Sequence, residues 1–200
     1  MKEMRVVLPS IERPKKLPVV LSRNEVRQLL KAPKLLKHRL VLAMLYGCGL
    51  RSFELCNLQL KDLDLERKML HVRQGKGRKD RYVPLCAMQV RGLRKYISAE
   101  SPITWCFNGN DSEGNPVALS TTGVRWIVRE ARKHSGIQKE VTTHSLRHSY
   151  ATHLLEMGLD IISVKDLLGH ADIQTTLAYL HVAQLGRQRP FSPLERLYNY

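Results

Sequence analysis

His144 and Arg147 stand three residues apart in His144-Ser145-Leu146-Arg147, a spacing that places two side chains on one face of a helix. The imidazole and the guanidinium could converge there on one anionic group, with Leu146 turned toward the core. Arg51 follows Gly47-Cys48-Gly49-Leu50 and precedes Glu54 by three residues. An arginine at a helix start with a carboxylate in reach can be held rigid and aimed at a phosphate, which its planar fork fits through paired N–H donors. Lys76 lies in Gln74-Gly75-Lys76-Gly77-Arg78-Lys79-Asp80, where the glycines predict a hairpin turn with a basic tip able to reach into a groove. His170 ends Leu167-Leu168-Gly169-His170, and Tyr179 ends Thr175-Thr176-Leu177-Ala178-Tyr179 nine residues later. Each residue alone has a plainer use. The His-x-x-Arg spacing is common by chance, Arg51 and Glu54 can make a plain intrahelical salt bridge, and Lys76 can be an exposed basic turn. His170 suits a structural hydrogen bond at a helix end, and Tyr179 suits the core face of a short amphipathic helix. The weight lies in the combination.

The elements that must position these residues are mostly helices. Residues 1–20 hold Pro9, Pro14 and Pro18 among basic side chains and read as an extended arm or linker. Ser22 and Glu25 have capping-box spacing for a helix through about Lys31. A second helix, apolar on most faces, spans about Leu36 to Tyr46 and is broken by Gly47 and Gly49; a short one follows over roughly Arg51 to Leu58. In residues 60–85 the period shifts, with Leu63, Leu65, Leu70, Val72 and Val83 alternating with polar positions as in strands. Residues 87–99 look helical, and residues 107–119, rich in Gly, Asn, Asp and Pro, read as a loop. Helices then dominate, at about 120–134, 145–157, 160–168 and 173–181, with Gly136, Gly158 and Gly169 near the breaks. The expected fold is mainly α with one small antiparallel β-sheet (α+β), in a main domain over residues 21–185 followed by a tail over 186–200.

Bulk composition narrows the function. The chain has 200 residues, enough for one well-packed domain or two small ones. No apolar run approaches the ~20 residues that a spanning helix needs, and the start of the chain lacks the apolar core of a signal peptide. A cytoplasmic, nucleoid-associated protein with no membrane partner is the expectation. The net charge is +15, and residues 1–100 hold 23 basic but only 9 acidic side chains. Such a cationic half favours a polyanion, since neutralised phosphates release condensed counterions, although a solubilising surface would have the same composition. Cys48, Cys56, Cys86 and Cys106 form no CxxC pair, which argues against a zinc site or a disulfide framework.

In order, the chain reads GLRSFE (49–54), GKGRKDRYVPL (75–85), HSLRHSYATHLLEMG (144–158), LLGH (167–170) and TTLAYLHV (175–182). This series closely resembles the tyrosine recombinase (phage integrase) family, most of all its Xer-like and transposon-associated members, over about residues 18–185. The resemblance implies the catalytic-domain fold of that family and a catalytic set of Arg51, Lys76, His144, Arg147, His170 and the nucleophile Tyr179. Thr143 stands where many relatives have proline, and Leu180 where threonine is common; neither change removes a catalytic group.

The implied activity is site-specific breakage and rejoining of double-stranded DNA through a covalent 3′-phosphotyrosyl intermediate, with no metal, ATP or other cofactor. Arg51 and Arg147 would clamp the phosphate and His170 would donate a further hydrogen bond. Lys76 would protonate the leaving 5′-oxygen. A phenol with a free pKa near ~10 needs help to react at neutral pH, and His144 is the expected proton acceptor. The implied assembly is a homo-oligomer on DNA, dimer to tetramer, and either an oligomer or a monomer without DNA; Leu194, Leu197 and Tyr198 of the tail could form an apolar patch for a neighbouring subunit, or the tail could equally be frayed or packed in cis. Relatives carry a further helical domain ahead of the catalytic one, so the short N-terminal run suggests a fragment, an alternative start or a single-domain recombinase. Three rivals stand beside this reading. One is a metal hydrolase using His144 and His148, four residues apart, but no HEXXH accompanies the pair. The others are a DNA-binding protein without catalysis and a type IB topoisomerase, which relaxes DNA by the same chemistry.

Overall fold

The structure, a computed structural model, describes residues 18–73, 80–180 and 182–183. Helix α1 (Arg23–Lys31) begins at the expected capping box: the Ser22 N–H donates to Glu25 Oε2 (2.6 Å) and the Glu25 N–H to Ser22 Oγ (3.2 Å). Helix α2 (Leu36–Gly47) buries Leu40, Val41, Leu42, Met44 and Leu45. Because it is apolar on most faces it can take neighbours on most faces. It packs against α1 and against α3 (Ser52–Cys56), α4 (Ala87–Glu100), α5 (Thr121–Ser135) and α6 (Thr143–Glu156). Fully burying a leucine contributes roughly 1.5–3 kcal/mol, so α2 anchors the domain. Helix α7 (Ile161–Leu168) and the short α8 (Gln174–Leu177) complete the α-helices of the described residues.

Strands β1 (Leu63–Asp64), β2 (Met69–Val72) and β3 (Arg81–Pro84) form an antiparallel sheet in sequence order. The β2–β3 register pairs Leu70 with Val83 and Val72 with Arg81, so Leu70, Val72, Arg81 and Val83 are all buried, as period-2 alternation requires. Lys76 lies outside the described residues, as do the tail residues Leu194, Leu197 and Tyr198.

Two sequence expectations are corrected here. Residues 107–119 are not all loop: β4 (Asn108–Asn110) and β5 (Pro116–Ala118) pair as a second antiparallel sheet. Side-chain chemistry rather than strand propensity closes that hairpin. Asp111 Oδ1 accepts from the Glu113 and Asn115 N–H groups at 2.9 and 2.8 Å, an Asx turn. Nor does one helix run over 173–181. Regular α-helix stops at Leu177, and the N–H groups of Tyr179 and Leu180 reach back three residues, to the Thr176 and Leu177 carbonyls at 3.0 Å each. The chain tightens into 3₁₀-like turns there, and Tyr179 sits on them.

The apolar interior is in two parts. The larger cluster runs from Leu21 through α2 and the three-stranded sheet to Leu146. The smaller holds Tyr150, Ala151, Leu155, Val164, Leu168 and Tyr179, and Tyr46 packs against both. The four cysteines are free, with Cys86 exposed and the others buried. No helix among the described residues is long and apolar enough to cross a membrane.

Candidate active site

Three arginines from distant parts of the chain meet one carboxylate. Glu54, 7% exposed on α3, receives Arg51 Nη1 on Oε1 at 2.8 Å. Arg81, at the start of β3, forks onto both its oxygens, Nη1 to Oε1 at 3.0 Å and Nη2 to Oε2 at 2.8 Å. Arg147 Nη1 on α6 lies 3.8 Å from Oε2. Glu54 also accepts the Arg51 backbone N–H at 2.9 Å, so one side chain fixes both the start of α3 and the guanidinium beside it. Burial pushes the Glu54 carboxyl up, but the Arg81 bonds and charge, the Arg51 N–H and the Arg147 charge outweigh it and hold the group down at about 2. The cluster thus keeps a surplus of positive charge at neutral pH.

The far sides of two of these arginines are held by the end of α7. Arg147, 4% exposed, donates Nη2 to the Leu168 carbonyl and Nη1 to the Gly49 carbonyl. Arg81, 8% exposed, donates Nε to the Leu167 carbonyl at 2.8 Å. The last carbonyls of a helix lack intrahelical partners and carry the negative end of its dipole, so they suit cations. Gly169 makes this possible. It ends α7 in the left-handed region (φ 62°), and a Cβ there would lie 3.0 Å from Arg81 Nη1. Gly49 is as constrained, since at φ 58° a Cβ would come within 2.5 Å of the Tyr150 ring.

Helix α6 is set by its own capping box, with Thr142 and Ser145 exchanging hydrogen bonds at 2.6 and 3.1 Å. Thr143, which stands in place of the commoner proline, is buried and accepts from Ser52 Oγ at 2.9 Å, tying the start of α6 to the start of α3. Leu146 faces the core as expected.

Tyr179 is 4% exposed and lies between two histidines. Its hydroxyl is 3.0 Å from His148 Nδ1, and the two ring centroids are 5.4 Å apart. The His170 ring stacks on Tyr179 at 6.3 Å and 15°, while His170 Nδ1 is 2.9 Å from Thr176 Oγ1. Burial lifts the Tyr179 phenol above its ordinary pKa range, against the opposing pull of Arg147 and Arg51. In the free chain burial therefore wins, and the phenol keeps its proton. His144 is exposed on the first turn of α6, its ring 6.3 Å from that of His148. The hydrogen bond of the phenol goes to His148, not to His144.

Of the expected set, the structure gathers Arg51 and Arg147 on Glu54 and places His170 against Tyr179. Two participants were not singled out from sequence. Arg81 carried a readable signal, because the alternation that buries Val83 puts Arg81 on the same face, and a cation on a core face must have a partner. In the sequence His148 reads only as a metal ligand beside His144. Among the described residues no three His, Cys, Asp or Glu side chains are grouped to hold a metal ion.

Known proteins resemble this chain in sequence and in fold. Residues 19–185 match the model of the phage integrase family. The chain is 40% identical over 191 residues to a putative integrase/recombinase, y4qK, of Sinorhizobium fredii, covering 96% of this chain and 61% of that protein. It is 42% identical over 171 residues to tyrosine recombinase XerA of Thermococcus kodakarensis, covering 84% and 60%. The crystal structure of a XerA recombinase superposes with a TM-score of 0.79 at 33% identity, covering 92% of this chain and 68% of the other. A XerH site-specific recombinase bound to palindromic difH substrate, in a post-cleavage complex, superposes at 0.72 with 26% identity, covering 91% and 53%. The chain thus spans about three fifths of the length of these curated relatives. The match over residues 19–185 and the relatives of 40% identity or more make the chain a member of the phage integrase family, the tyrosine recombinases.

Proposed function

We propose that this chain is the catalytic part of a site-specific DNA recombinase that breaks and rejoins double-stranded DNA through a 3′-phosphotyrosyl intermediate. The observation that carries the reading is the sharing of one buried carboxylate, Glu54, by Arg51, Arg81 and Arg147 close to Tyr179. A phosphodiester entering the cluster meets guanidinium donors that are already oriented, so little reorganisation accompanies the charge that develops on its oxygens.

In this reading Arg51 and Arg147 bind the non-bridging oxygens, and His170, oriented through Thr176, donates to the same phosphate. His144, exposed one turn ahead of His148, also faces it. Tyr179 attacks in line, the Tyr179 oxygen–phosphorus bond forms, and the bond to the 5′-oxygen breaks, with Lys76 supplying the proton to that oxygen. Attack by a 5′-hydroxyl of another strand reverses the step and rejoins DNA. The phosphotyrosyl bond conserves the energy of the phosphodiester, so the cycle closes without ATP. Exchange between two sites requires more than one copy of the site, hence a dimer or tetramer on DNA. The XerH complex with its difH substrate supports DNA as the partner.

The test is covalent trapping. Incubated with nicked suicide duplexes, the chain should form a DNA adduct that survives denaturation and maps to Tyr179, and Tyr179→Phe should abolish it without loss of DNA binding. An adduct that persists in Tyr179→Phe refutes the assignment. Plasmid relaxation without exchange between two sites would favour the topoisomerase reading.

A further inference from the structure

His148 lies against the nucleophile, and the expected roles do not use it. It is half-buried on α6, its Nδ1 is 3.0 Å from Tyr179 Oη, and its ring is tilted 51° to the phenol. We propose that His148 is the general base of the cleavage step, the role for which His144 was expected. The proposal rests on reading Tyr179 as the nucleophile. A general base must first be within hydrogen-bond reach of the proton it takes, and His148 holds that position in the free chain.

The surroundings of His148 keep it able to accept. The groups that face it are His144 and Arg147 on its own helix and Tyr179, with His170 stacked behind, from the segment packed against it. Burial, then the charges of His144 and Arg147, depress its pKa below the ordinary 6.5, so the ring is neutral at neutral pH. With the ring proton on Nε2, Nδ1 presents a lone pair to the Tyr179 hydroxyl. On attack the Tyr179 O–H bond breaks and an N–H bond forms at Nδ1, giving an imidazolium. The electron pair of that O–H bond becomes the new O–P bond, and the pair of the broken P–O bond leaves on the 5′-oxygen, which is protonated by Lys76. In the rejoining step the imidazolium returns its proton to the departing phenol. No further reactant is required. His144 is exposed on the first turn of α6, and the phenol's hydrogen bond goes to His148 instead.

The test uses the full chain, its His148→Gln and His148→Ala variants, and a pool of nicked duplexes of randomised sequence. Wild-type adducts select the cleavable duplexes, which then serve for rate measurements. The cleavage rate of wild type should rise with pH through an apparent pKa below 6.5. Both variants should bind duplex as wild type does but cleave about 10²–10⁴-fold more slowly, and the rising limb should vanish. A Gln variant that cleaves at the wild-type rate with the same limb shows His148 to be structural and overturns the proposal. Nitrogen NMR of the DNA-free chain gives a second reading. His148 should be neutral with its proton on Nε2 at neutral pH, and an imidazolium or the Nδ1–H form overturns the proposal whatever the DNA results. If wild type forms no adduct with any duplex in the pool, the recombinase reading fails instead, and the NMR result still stands apart from it.

Discussion

Glu54 balances part of the charge of Arg51, Arg81 and Arg147 and aims all three at once. Removing one partner of a buried ionic cluster leaves the others uncompensated, which typically costs about 3–5 kcal/mol. In a domain of this size that lowers Tm by roughly 6–20 °C. Glu54→Gln, which keeps the shape but not the charge, should show a loss in this range by thermal melting, and a Tm unchanged by the substitution would mean the arginines do not depend on the carboxylate. The pH dependence has a definite sign. The folded-state pKa of Glu54 is depressed from 4.5 to about 2, so its contribution is complete above about 4.5 and fades as pH falls toward 2. Wild type should therefore lose stability over that window, while the Gln variant loses less. Sequence showed part of this. Arg51–Glu54 was legible from an i,i+3 spacing, because local spacing decides a local pair. Arg81 is 27 residues from Glu54, and Arg147 meets Glu54 only through the packing of α6 on the core. His148 was legible as a neighbour of His144, but its contact with Tyr179 spans 31 residues and depends on how the chain turns after α8.

At the scale of elements, the site hangs on where α7 ends. Two of its last carbonyls hold Arg81 and Arg147, and Gly169 turns the chain away just beyond them. Gly169→Ala would force an L-residue into the left-handed region, at about 1–2 kcal/mol, and place its methyl against the Arg81 guanidinium. The expected result is a Tm lower by about 2–8 °C together with a drop in adduct formation larger than the stability loss explains, since Arg81 must move. A variant that is less stable but cleaves at the wild-type rate would show that the Arg81 anchorage is dispensable. Glycine breaks and hydrophobic periodicity carried most of the helix assignments, and α1, α2, α4, α5, α6 and α7 lie within a residue or two of their expected bounds, because strong 3.6-residue patterns survive tertiary packing. The β4–β5 hairpin was invisible to the same reasoning. Asn108-Gly109-Asn110 has no strand-forming side chains, and the Asp111 turn that closes it looks like an ordinary loop. The shortening of α8 has a similar origin, since amphipathic spacing does not distinguish an α-helix from successive tight turns over so short a segment.

On the scale of the whole molecule, Tyr179 and the charge that would bring DNA to it belong to different parts. Tyr179 is packed in the smaller apolar cluster with α6 and α7, and segments held by few buried contacts open at lower free energy than a main core. The cationic excess is concentrated in residues 1–100, with 23 basic against 9 acidic side chains, whereas the second half is near balance. If that excess is a phosphate-binding footprint, duplex binding should have the signature of counterion release. The logarithm of the binding constant would fall linearly with the logarithm of salt concentration, with a slope of about −0.9 per phosphate neutralised. Engagement of about 6–10 phosphates predicts an affinity loss of roughly 10³–10⁵ between about 50 and 200 mM salt. Fluorescence anisotropy on a duplex of arbitrary sequence measures this without knowledge of the cleavage site. Tyr179→Phe should give the same line as wild type, because the hydroxyl is uncharged in the free chain and adds nothing to phosphate neutralisation. A slope near zero would identify the charge as a solubilising surface and leave the arginine cluster as the sole attraction for DNA.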